Sequence, residues 1–256
     1  MSSKNTEKMR IAKFLSHAGV CSRRDAEALI AEGKVSVNGS KLDTPAVKVS
    51  SEDNIVVNGK PVASDAPARV FLHYKKAGFP TTHKDEKGRE TMFDKLPKDM
   101  PRVISVGRLD LNTEGLILLT TDGDLARHFE LPQTGLTRRY RVRVYGHVSQ
   151  GKLDRLKNGI TIDGVKYGAI EAFLEKAPKD EERTGRANSW LTVALAEGKN
   201  REIRNVMEHL GLQVSRLIRV AYGPFQLGNL RPGDVKEVPP RVLKDQLPRD
   251  FRGKFA

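Results

Sequence analysis

A carboxylate with chemistry in reach stands at Asp110, between Leu109 and Leu111 in "VGRLDLNTEGLILLTTDGDLA", with Arg108 before it and a polar Asn112-Thr113-Glu114-Gly115 turn behind. An ionised Asp in an apolar setting can attack an electrophilic carbon or take a proton, and it needs a cation beside it to stay charged. The same side chain could instead cap the turn that follows it. Other chemistries find little support. The six histidines, at 17, 73, 83, 128, 147 and 209, have no HExxH-like spacing. The nearest approach to a paired ligand set is Asp124 with His128, one helical turn apart, a spacing usual for a solvated helix contact; no metal is expected. No glycine-rich loop has Walker spacing, so nucleotide hydrolysis is not expected either. The single cysteine, Cys21, permits no internal disulfide and no cysteine-based zinc cluster, and reads as an inert, partly buried residue.

The elements that must position Asp110 belong to a chain of 256 residues, enough for one large domain or a large and a small one. Its apolar runs are too short to span a membrane, and "MSSKNTEKMR" lacks the apolar stretch of a signal peptide, so a cytoplasmic protein is expected. The formal charge of +13 points to a polyanionic partner, since each neutralised phosphate releases counterions. No helix pairs a basic face with a strongly apolar one, which favours nucleic acid over a membrane surface. Residues 1–65 hold 10 Lys/Arg and 8 Asp/Glu, so most of the excess lies in the remainder.

The first sixty residues read as a compact unit. Ile11, Phe14 and Leu15 fall at helical spacing up to Gly19, and Ser22 with Asp25 forms a capping box for a second helix stopped by Gly33. Strands then flank Asn38-Gly39 and Asn58-Gly59, dipeptides suited to tight hairpins. "ASDAPARV" reads as a linker and places a boundary near residues 62–68. Beyond it, "RVFLHYKK", "RVISV" and "LILLT" read as strands, and "DGDLARHFEL" as a helix capped by Asp122. In "TRRYRVRVYG" Tyr140, Val142 and Val144 share one face and Arg139, Arg141 and Arg143 the other. "GKLDRLKNG" reads as helical, then come strands in "ITIDGVKYGAIEAFLE" and "SWLTVALAEG", the helix "NREIRNVMEHLG" and the strand "SRLIRVAYG". The order predicts an α+β fold: a small N-terminal α+β domain (1–65) and a larger domain (66–256) with a mixed or antiparallel sheet. The basic segment from about 241 is expected to end in a mobile tail.

Two helices followed by short strands, with Arg23 and Arg24 opening the second helix, resemble the S-four-type RNA-binding domain. "GRLD" with "NTEGLILLTTDGDLA", "TRRYRVRVYG", "EGKNREIRNVMEHLG" and "SRLIRVAYGPF" resemble four ordered motifs of the pseudouridine synthases, in the branch that modifies ribosomal RNA and carries such a domain in front. Together they cover nearly the whole chain. "HYKKAGFPTTHKDEKGRETMFDKLP" adds a likeness to the synthase B group, whose target is large-subunit rRNA. The chain departs from that pattern in "KKAG", where a proline usually follows the lysine, and in Asn205, where a second arginine is common.

The resemblance implies a cofactor-free isomerase in which Asp110 is the essential carboxylate, as nucleophile or as base. It implies that Arg204 holds Asp110 through a two-bonded fork. Tyr140 would stack on the extruded uracil and could serve proton transfer, Leu217 would line the other side of the base, and Arg108 would enter the stack the base leaves. Arg23 and Arg24 would hold phosphates. The implied partner is ribosomal RNA, naked or in an assembling subunit, and a monomer is expected. The alternatives are a small-subunit enzyme of the same branch and a noncatalytic RNA-binding or assembly factor on the same fold.

Overall fold

The computed structural model describes residues 8–63, 67–175, 187–247, 251, 253 and 255. The N-terminal unit runs β1 (Met9–Arg10), α1 (Ile11–His17), α2 (Arg23–Ala31), β2 (Val35–Val37), β3 (Ser40–Lys41), β4 (Lys48–Val49), β5 (Ile55–Val57) and β6 (Lys60–Pro61). The capping box forms as its residues dictate: Ser22 Oγ accepts from Asp25 N at 3.1 Å, and the Asp25 carboxylate accepts from Ser22 N at 3.2 Å. Asn38-Gly39 and Asn58-Gly59 all have positive φ, which a two-residue hairpin turn of this twist requires. Ile11, Leu15, Ala26, Ile30, Val35 and Ile55 bury against one another as a separate core. Of the linker, residues 64–66 lie outside the described residues.

The larger unit is built on a nine-stranded mixed sheet. Its strands in chain order begin with β7 (Val70–Lys75), β8 (Ile104–Ser105), β9 (Glu114–Thr120) and β10 (Arg138–Gly146). A separate hairpin, β11 (Ile160–Ile162) and β12 (Val165–Tyr167), follows. The sheet resumes with β13 (Ile170–Leu174), β14 (Ala187–Leu195), β15 (Gln213–Tyr222), β16 (Phe225–Gln226) and β17 (Val235–Glu237). The main path is β13-β14-β10-β15-β9-β7-β17, with β16 on β15 and β8 on β9. Among the described residues every pairing is antiparallel except β15 with β9, where Ile218 faces Glu114 and Arg219 faces Gly115.

That parallel junction brings the turn after Asp110 against the strand bearing Leu217. It is close enough that a Cβ on Gly115, at φ +99°, would lie 2.3 Å from the Arg219 carbonyl oxygen. β10 alternates as its sequence predicts, with Tyr140, Val142 and Val144 buried and Arg139, Arg141 and Arg143 exposed. β9 is apolar on both faces because both are covered: Ile117 and Leu119 join one core cluster, Leu116 and Leu118 another. α3 (Gly123–Glu130) packs on the second cluster, its N-terminus capped by Asp122, which accepts from Asp124 N and Leu125 N at 2.8 and 2.9 Å.

The expectation for the C-terminal segment needs correction, and two others hold in type with narrower bounds. "RVISV" forms only the two-residue β8, and "GKLDRLKNG" divides into α4 (Gln150–Asp154) and a 3-10 turn over Arg155–Asn158. The C-terminal segment is not a free tail: α5 (Glu202–His209) is followed after β17 by α6 (Pro240–Gln246), whose Leu243, with Leu247 and Phe255, is buried in the second cluster. Asp124 pairs across the units with Lys13 at 2.9 Å, and the His128 ring lies 4.7 Å from that of Phe251, tilted by 44°.

Candidate active site

The loop carrying Asp110 is fixed from several sides before its carboxylate is considered. Thr81 Oγ1 donates to Leu109 O at 2.9 Å and accepts from Leu109 N at 3.3 Å, while Gly107 N donates to Glu130 Oε1 at 2.7 Å. From beneath, the Lys75 ammonium donates to the carbonyls of Lys76, Asp110, Leu111 and Thr113 at 3.0 to 3.3 Å. Lys75 is 0% exposed. Burial depresses its pKa to about 8, against the pull of the Asp110 and Glu114 carboxylates.

Asp110 itself is half-buried, and its carboxylate makes no hydrogen bond among the described residues, so its oxygens are available to a substrate. It lines a pocket of about 580 Å³ together with Arg108, Tyr140, Leu217 and Arg219. Tyr140 and Leu217 are 9% and 5% exposed, on adjacent strands, so the pocket offers an aromatic ring and an aliphatic side chain beside one carboxylate. Asp110, Tyr140, Leu217 and Arg108, named from sequence, are therefore together.

Arg204 departs from expectation. No fork to Asp110 forms, because its guanidinium donates to Asn112 O at 3.0 Å and Val214 O at 3.3 Å, tying α5 to the turn after Asp110. Asp110 still acts on it electrostatically: burial, then Arg201, lower the Arg204 pKa, and Asp110 opposes them. Arg23 and Arg24 lie outside this pocket and line a second cleft.

Sequence reading missed three participants. Lys75 hides as the first of two lysines at a strand end; the near-continuous apolar run before it was the available signal. Arg219, 3% exposed, donates Nε to Leu116 O at 2.7 Å and lies over the Tyr222 ring at 5.0 Å. Glu202 opens α5, accepts from Lys199 N at 2.9 Å and lines the pocket. Burial raises its pKa to about 7, with neighbouring Glu197 adding to the rise. The residue before it, Arg201, holds φ +49°, a left-handed conformation that costs a non-glycine residue energy and turns the loop onto the helix.

Among the described residues, one group has the spacing of metal ligands: His17, Asp122 and Asp124, within 4.8 Å of one another. Lys13 and the cap of α3 already occupy those carboxylates. No described helix is long and apolar enough to cross a membrane.

A half-buried carboxylate thus shares one pocket with a buried aromatic ring and an apolar side chain, on a mixed sheet behind a small α+β unit. The chain belongs to the RNA pseudouridylate synthase family, whose model matches residues 69–209, and an S4 domain matches residues 9–55. It is 46% identical over 238 residues to an uncharacterised RNA pseudouridine synthase of Rickettsia prowazekii, covering 93% of this chain and 97% of that protein. It is 36% identical over 247 residues to the ribosomal large subunit pseudouridine synthase B of Bacillus subtilis, covering 96% and 99%. A crystal structure of a pseudouridylate synthase shares the fold with a TM-score of 0.63 at 21% identity, over 93% of this chain and all of that one.

Proposed function

We propose that this protein isomerises a uridine of ribosomal RNA, in the large subunit, with Asp110 as the essential carboxylate. The carrying observation is that Asp110, whose carboxylate makes no hydrogen bond among the described residues, shares one pocket with Tyr140, Leu217 and Arg108 in a chain of this family. The N1–C1′ bond breaks, the uracil turns, and C5 bonds to C1′; the proton leaving C5 is balanced by one gained at N1. Asp110 either attacks C1′ or removes the proton of the neighbouring ribose carbon. Tyr140 stacks on the uracil and serves proton transfer, Leu217 covers its other side, and Arg108 fills the stack that the base leaves.

Arg204 acts as a cation near Asp110 and as the brace of Asn112. Residues 1–65 form the RNA-docking domain, with Arg23 and Arg24 on phosphates, and 66–256 the catalytic domain. The large-subunit target is supported by relatives named for it. The protein works as a cytoplasmic monomer on rRNA, naked or in an assembling subunit. Mapping pseudouridines in rRNA from cells with and without the protein tests this. One large-subunit position should revert to uridine; an unchanged map, or a change confined to the small subunit, would contradict it.

A further inference from the structure

A second cleft, of about 1040 Å³, opens where the two units meet and shares Thr81, Thr82, Gly107, Arg108 and Glu130 with the active-site pocket. The start of α2 contributes Arg23 and Arg24; the larger unit contributes Lys84, Arg102 and Arg108. None of these five side-chain cations has an ion pair or hydrogen bond among the described residues. The two acids of the cleft are engaged: Asp25 closes the capping box, and Glu130 accepts from Gly107 N. Five cations against two carboxylates leave a net positive field around one concavity, which draws a polyanion.

The cleft also carries an aromatic platform. The exposed imidazole of His83 stacks on Phe93 at 3.7 Å between centroids and 21° between planes. Desolvation, then the Arg102 cation, hold His83 below the usual imidazole range, so a neutral ring faces the cleft at physiological pH. A flat neutral face suits an unpaired base, whereas a duplex turns its phosphates outward and keeps its base faces stacked inside. Extruding a base also opens the strand beside it.

We propose that this cleft binds the single-stranded RNA flanking the target nucleotide, with its phosphates on Lys84 and Arg102 opposite Arg23 and Arg24 and one unpaired base on His83. The inference rests on the reading of the adjacent pocket as the uridine site. Arg108, shared by both cavities, stands where the strand passes from one to the other.

The test titrates the full chain with a large-subunit rRNA fragment carrying the mapped uridine, over a range of salt, and follows conversion in parallel. Replacing Lys84→Ala with Arg102→Ala should weaken binding about tenfold and reduce the slope of log K against log salt by about 1.4, two single-strand phosphates' worth. Arg102→Lys should restore its share of the slope and guards against a folding defect. An abasic nucleotide beside the target should cost the parent about tenfold in affinity. It should cost His83→Ala nothing further. Unchanged slope in the double variant, or abasic losses equal in parent and His83→Ala, would overturn the proposal. A slope change near 1.8 without an abasic effect would overturn it in favour of duplex. A parent that shows all the binding losses yet never converts the uridine would refute the functional reading and leave the cleft standing.

Discussion

Replacing Lys75→Met keeps an aliphatic stem of similar length and removes the donor beneath the Asp110 loop. Four carbonyls lose the ammonium. Two of them keep another donor, Thr113 N on Asp110 O and Gly78 N on Leu111 O. The other two lose about 1–3 kcal/mol each, so roughly 2–6 kcal/mol in all. Against this, the fall of the lysine pKa from 10.5 to about 8 means that burial of the charge costs on the order of 3 kcal/mol, which methionine returns. Net stability should therefore change by no more than about 3 kcal/mol. Activity should suffer far more, since displacing a reacting group by about 1 Å costs about a hundredfold.

The pH dependence supplies an independent check. Between pH 8 and 10.5 the unfolded chain holds the Lys75 proton that the folded chain has released, so this group's contribution to stability rises with pH across that window. Turnover should instead decline above pH 8, as the ammonium loses a donor hydrogen. Single-turnover rates and urea midpoints at several pH values read both. A Lys75→Met variant within a few-fold of parental turnover, with an unaltered alkaline limb, would refute the bracing argument.

Gly115→Ala would drive a Cβ into the Arg219 backbone at a positive φ, and urea melts should show a loss of about 3 kcal/mol or more. Glu202 keeps between pH 4.5 and 7 a proton that the unfolded chain gives up, so its contribution is full below 4.5 and lost as pH rises through 7. Glu202→Gln should therefore be more stable than the parent at pH 8, on the order of 3 kcal/mol, but not at pH 4. Arg204→Met removes the brace on Asn112 and a cation near Asp110, so turnover should fall and its acid limb should move to higher pH. An unshifted profile would leave only the brace.

Much of this architecture is legible in local chemistry. Ser22 with Asp25, the two Asn-Gly turns and Asp122 each dictate a backbone geometry through neighbours three or fewer residues away, and each forms as read. Asp110, Tyr140, Leu217 and Arg108 could be named because each sits in a motif whose type and order are specific. For Arg204 the motif gave a place near Asp110 in the fold but not its bonds. Which acceptor a long guanidinium takes depends on carbonyls from Asn112 and Val214, 92 and 10 residues away. Lys75 was invisible for the same reason: its acceptors are mostly 35 to 38 residues downstream. The C-terminal helix was a different miss. Leu243 and Leu247 stand four residues apart on a short apolar repeat whose signal was masked by prolines at 239, 240 and 248.

The most direct test of the account is Asp110→Asn, which preserves size and most hydrogen bonding but removes the charge. It calls for single-turnover conversion of the uridine-bearing rRNA fragment, beside a binding titration of the same fragment and a thermal melt. Conversion should vanish while affinity and melting temperature stay near the parent's, because the loop is held by its backbone and by Lys75 and not by the carboxylate. Retained conversion by a contaminant-free Asp110→Asn protein would contradict the central claim.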